Sequence, residues 1–148
     1  MKESLLNLTE DLNKLACETF FEILRYSGDM LSTKPANSTA QDIVQLGIDK
    51  KPIRDEIYVQ LMRQTNENPI PANLNKVWEL FGFVAACFAP SPFFVPYVEH
   101  YLKFCTQEEG ESGLFAVETL SKFTVTVQKE INRKYAPGAR EMDAIRVN

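Results

Sequence analysis

One histidine, three cysteines and a set of carboxylates are the side chains from which this sequence could build catalytic chemistry. His100 and Cys105 are five residues apart on one predicted helix, which puts them off a common face and prevents a nucleophile–base pair. His100 therefore reads as a partly buried or rim histidine. Cys17, Cys87 and Cys105 are odd in number, lie in apolar runs and form no Cys-x-x-Cys, so they read as reduced thiols of a cytosolic core. They offer too few ligands for zinc. Asp55–Glu56 and Glu108–Glu109 read as helix-start and loop charges. Neither "EEGESG" nor "PGAR" matches a phosphate-binding loop. The sequence predicts no enzyme, no metal and no cofactor.

Charge suggests recognition instead. The predicted helix from Leu114 to Arg133 carries Leu120, Phe123, Val127 and Ile131 at helical spacing. With those inward, Lys122, Thr126, Lys129 and Arg133 fall almost opposite, and Lys134 and Arg140 follow. This is a basic stripe on a protein of net charge −4. It reads either as a solvated face or as the footprint of an acidic partner. The net charge argues against binding nucleic acid through bulk positive charge.

A second charge poses a packing problem. In "KKPIRDEIYVQLMRQTNENP" Pro52 suits the first turn of a helix, and Asp55 and Glu56 suit the positive end of its dipole. Arg54 does not, and at 100° per residue it shares a side with Tyr58, Leu61 and Thr65. An unpaired guanidinium on a buried face is costly, so a structural ion pair is one expectation and a direct contact to a partner the other.

The elements that hold these groups are all helical. Helices are expected from Thr9 to Tyr26, from a Ser38 or Thr39 cap to Leu46, from Pro52 to Thr65, and after an Asn73 cap along "LNKVWELFGFVAACF". The last is apolar on nearly every side, as in the buried centre of a bundle, and carries Trp78 into the core. Ser91 and Pro92 open a further helix with an irregular start at Pro96. Tyr97 and Tyr101 are expected in its core face, their hydroxyls at the rim. "AREMDAI" makes a last turn or two. The fold class is all-α, one compact helical bundle spanning 1–148, large enough for a real core. No apolar run reaches the length of a membrane span, and no signal peptide is seen.

Four blocks, in order, resemble one family. "FFEILRYSGDM", "PIRDEIYVQLMRQTNENP", "VWELFGFVAACFAPSPFFVPYVEHYL" and "PGAREMDAI" are similar to the signature of the myosin tail homology 4 domain. Arg54, Asp55, Glu56, Tyr58, Gln60, Gln64, Thr65 and Trp78 stand at its motif positions. The closing block looks most like plant-type kinesin-like calmodulin-binding proteins. The resemblance implies a non-catalytic, cytoplasmic interaction module in the tail of a cytoskeletal motor or adaptor. It implies microtubules or cargo proteins as partners, and a neighbouring FERM domain in the longer protein. It also makes the acidic tails of tubulin a reasonable partner for Lys122, Lys129, Arg133, Lys134 and Arg140. The alternative is a scaffold that packs with FERM and docks cargo peptides without binding tubulin. Glu79 and Asp29, both inside family blocks, are the carboxylates expected to hold Arg54.

Overall fold

A helix that is apolar all round must be enclosed, and the arrangement of the chain follows from enclosing one. In the computed structural model, which describes residues 3–147, the helices are α1 (Glu10–Ser27), α2 (Ala36–Asp49), α3 (Arg54–Glu67), α4 (Pro71–Cys87), α5 (Val95–Cys105), α6 (Glu111–Gln128) and α7 (Ala139–Val147). A short 3-10 turn, Lys51–Ile53, leads into α3. Met1, Lys2 and Asn148, within the domain expected over 1–148, lie outside the described residues. Among the described residues there is no strand, and no helix is long and apolar enough to cross a membrane. The chain is all-α.

The enclosed helix is α4. Val77, Trp78, Leu80, Phe81, Phe83, Val84 and Ala85 are all buried. It packs most extensively against α6 and also touches α1, α2, α3 and α7. The core is aromatic at its centre. Tyr58 of α3 meets Phe81, Phe88 and Phe123 edge-on, and Trp78 stacks on Phe81. Gly47, near the end of α2, allows one close approach: a Cβ there would stand 2.2 Å from the Phe88 ring. No side chain larger than hydrogen fits without moving that ring.

Several helix boundaries depart from the sequence expectation. α2 starts at Ala36, behind Pro35, so Ser38 and Thr39 lie inside the helix and do not cap it. α4 starts at Pro71, whose missing N–H costs nothing in a first turn. Asn73, expected as its cap, instead donates to the Asp29 carboxylate at 2.7 Å. α5 does begin irregularly: turns over 92–94 precede a helix whose first turn holds Pro96. α6 ends at Gln128, five residues before the expected Arg133. Glu130 adopts φ +50°, Ile131 N–H donates to Thr126 O at 3.1 Å, and Glu130 N–H donates to Val127 O at 3.3 Å. These two bonds are the Schellman closure of a helix end, here with glutamate in the left-handed position usually held by glycine.

Candidate functional site

The motif of α3 turns inward, one residue after another. Arg54 is not paired with Glu79 or Asp29, contrary to expectation. Its Nε donates to the Gly47 carbonyl at 2.6 Å and its Nη2 to the Ile48 carbonyl at 3.3 Å, while the guanidinium lies 5.2 Å from the centre of the Phe88 ring. The last carbonyls of α2 lack helical partners and sit at the negative end of its dipole, so a guanidinium satisfies both needs without a carboxylate. Burial lowers the Arg54 pKa. Asp55 accepts the backbone N–H and the hydroxyl of Ser91 at 2.6 and 2.7 Å, pinning the turn between α4 and α5. The fully buried Glu56 accepts the N–H groups of Leu5 and Leu6 at 3.1 and 2.8 Å and the Gln60 amide at 2.7 Å. Gln60 also donates to Ala16 O at 2.9 Å. The Tyr58 hydroxyl donates to Phe88 O at 2.6 Å, and the Thr65 hydroxyl lies 2.7 Å from that of Tyr101. Gln64 is half-buried and Trp78 buried.

Glu79 serves α7 instead. Arg146 Nε donates to its carboxylate at 2.8 Å, Arg146 Nη2 reaches Asn37 Oδ1 at 2.6 Å, and the guanidinium lies 5.0 Å from the centre of the Phe83 ring. The Tyr26 hydroxyl donates to the same carboxylate. Burial and that bond raise the Tyr26 pKa. The sequence reading did not single out Arg146. The apolar run of α4 interrupted by one glutamate was the available signal that a cation must arrive from elsewhere.

The cations proposed as a stripe are not one helical face. α6 turns Ala116, Thr119, Phe123 and Thr126 inward, leaving Leu120 and Val127 half-buried. Thr126 is buried because its hydroxyl donates to Ala85 O at 2.6 Å. This rotation draws Lys122 inward to 17% side-chain exposure, 3.8 Å from Glu118, and burial lowers its pKa. Lys129, Lys134 and Arg140 are exposed around the α6–α7 turn and the start of α7. Arg133 forms a two-pronged pair with Glu141 at 2.7 and 2.8 Å.

Two apolar features emerge instead. On and just before α5, Phe93, Tyr97, His100 and Phe104 share an exposed face, with Phe93 79% and Phe104 65% exposed. Tyr97, expected in the core, is 58% exposed. Val98, Leu102 and Cys105 form the inward line, and 100° per residue sets Tyr97 beside it. Tyr101 is half-buried. The second feature is a groove along α6, against α4 and α7, with a cavity of about 380 Å³ walled by Trp78, Leu114, Phe115 and Ile145. Cys87 and Cys105 are buried, whereas Cys17 is only half-buried.

With this geometry in view, the relatives of the chain can be named. The family description "MyTH4 domain" matches residues 40–144, well over half of the sequence. The chain belongs to the MyTH4 family. Among its relatives, the "Myosin-I heavy chain" of Dictyostelium discoideum is 32% identical over 157 residues, covering 100% of this chain and 7% of that protein. The "Kinesin-like protein KIN-14E" of Arabidopsis thaliana is 30% identical over 152 residues, covering 96% and 12%. The solved MyTH4-FERM MF2 domain of Dictyostelium discoideum myosin VII superposes with a TM-score of 0.87 at 29% identity, covering 100% of this chain and 31% of that one. The MyTH4 chain thus spans a small part of each relative, and its relatives include both myosins and a kinesin-like protein.

Proposed function

We propose that this MyTH4 domain is a non-catalytic protein-interaction module of a cytoskeletal motor tail, acting in the cytoplasm. Its partners are a neighbouring FERM domain and cargo proteins. The observation that carries this reading is the exposed aromatic face on and just before α5, Phe93, Tyr97 and Phe104, on a fold shared with MyTH4-FERM structures. Large aromatics presented together to solvent are the residues that dominate protein interfaces once covered. The test mixes the domain with a separately expressed FERM domain of its own full-length chain. A Phe93→Asp/Phe104→Asp variant should bind about tenfold more weakly or worse, the loss of one or two aromatic anchors. Equal binding would remove the face from the account.

A second reading is microtubule binding through the basic region. Its support is the exposure of Lys129 and Lys134 in the segment between α6 and α7 and of Arg140 in the first turn of α7, while Arg133 is paired with Glu141 and Lys122 with Glu118. Fields of exposed charges fade over about 8–10 Å at physiological salt, so exposed cations can act locally on a protein of net negative charge. Cosedimentation at low salt that is lost on raising the salt, and lost in Lys129→Glu/Lys134→Glu/Arg140→Glu, would establish it. Absence of pelleting at low salt leaves the first reading alone.

A further inference from the structure

The groove along α6 is built for an elongated occupant. Beyond the 380 Å³ cavity it continues into a second of about 290 Å³ walled by Ala86, Val125 and Ile131, and Glu118 and Lys122 line both. Together the two cavities follow α6 from Glu111 to Thr126. That is roughly 22 Å at the helical rise, longer than a small metabolite and close to four turns of a docked helix. The exposed residues of α6 that line it are Glu111, Leu114, Glu118, Ser121 and Val125.

The polar groups of the groove say what the occupant carries. Trp78, in the wall of the larger cavity, is 2% exposed, and its indole N–H has no acceptor. A buried donor left unsatisfied is destabilising, but this nitrogen is enclosed by the fold, so Trp78 serves the cavity as an apolar wall. The charges lining the groove are otherwise matched within the fold: Arg146 with Glu79 at 2.8 Å and Lys122 with Glu118 at 3.8 Å. Glu111 is the exception. Its carboxylate takes only the Asn75 amide, and no cation pairs with it among the described residues.

We propose that this groove binds a peptide segment of a partner protein, with large apolar side chains on one face and a lysine or arginine at the Glu111 end. The apolar anchors fill the two cavities, and the cation neutralises Glu111. The groove lies on α6, α4 and α7, and its occupancy does not depend on the α5 face assigned to a FERM domain above.

Trp78 is the one tryptophan of the chain and reports directly on its cavity. A displayed library of peptides of about 16 residues, enough for roughly 24 Å of helix, is panned on the domain with Leu114→Glu as counter-target. Leu114 is 70% exposed, so the substitution leaves the core alone, and Val125→Glu, 43% exposed in the wall of the second cavity, serves as a second variant if the first melts early. The expected result is enrichment of sequences with apolar residues at helical spacing and a basic residue near one end. A synthetic copy should shift Trp78 emission saturably, with affinity falling about tenfold in Leu114→Glu and also falling in Glu111→Lys. Several results overturn the proposal: no enrichment, acidic winners, binding unchanged in both groove variants, or binding without a change in Trp78 emission. A dimer of the domain that Leu114→Glu splits would overturn it too, by placing a second copy in the groove.

Discussion

Arg54 Nε donates to the carbonyl of Gly47 at 2.6 Å, so the first residue of α3 closes the end of α2. The guanidinium also covers Phe88, whose ring lies where a Cβ on Gly47 would be. Arg54→Met keeps the length and the packing but leaves the carbonyls of Gly47 and Ile48 unmet. The expected loss is about 1.5–3 kcal/mol, the range for hydrogen bonds from a charged group. Arg54→Lys should not restore it fully, because a point charge cannot reproduce the fork. Chemical denaturation of both variants measures this, and parent-like stability would refute it.

Glu56 holds the N-terminal segment by accepting the N–H groups of Leu5 and Leu6, and no cation pairs with it among the described residues. Glu56→Ala should cost about 2–3 kcal/mol and free residues 4–8 from α3. Hydrogen exchange would show it, with the Leu5 and Leu6 amides accelerating ahead of the core amides of α4. Unchanged exchange at those two amides would mean that the segment is held by its apolar contacts.

The three thiols should separate by burial. Burial pushes the Cys87 thiol up to about 11 and raises Cys105 as well. A raised thiol pKa means less thiolate at neutral pH, so both should label slowly in the native state, the Cys87 rate still climbing with pH beyond the ordinary thiol range. Cys17, half-buried, should label first. Mass spectrometry after timed alkylation resolves the order, and rapid native labelling of Cys87 would contradict its position.

Glu130 occupies the left-handed position that ends α6, at φ +50°. Only glycine adopts that conformation without a steric penalty, so Glu130→Gly should stabilise the domain by about 1 kcal/mol. A thermal melt tests the sign directly. Destabilisation would show that the glutamate side chain compensates for its backbone.

What the sequence determined by itself was the set of helices, the central place of α4 and the family. Those rest on local signals: apolar spacing, proline and glycine at ends, and four ordered blocks. The α3 motif was legible as structural, yet its partners were not, because hydrogen-bond partners far apart in sequence leave no periodic trace. Arg54 met backbone carbonyls, and Glu79 met Arg146 from the far end of the chain. Only the tertiary structure decided which way α6 turns. Thr126 reads as a solvent residue by type, but the Ala85 carbonyl satisfies its hydroxyl, so it is buried and Lys122 is drawn inward with it. The same dependence on neighbours left the aromatics of α5 outside: their bulk suits a core, but the inward line of that helix was already taken by Val98, Leu102 and Cys105.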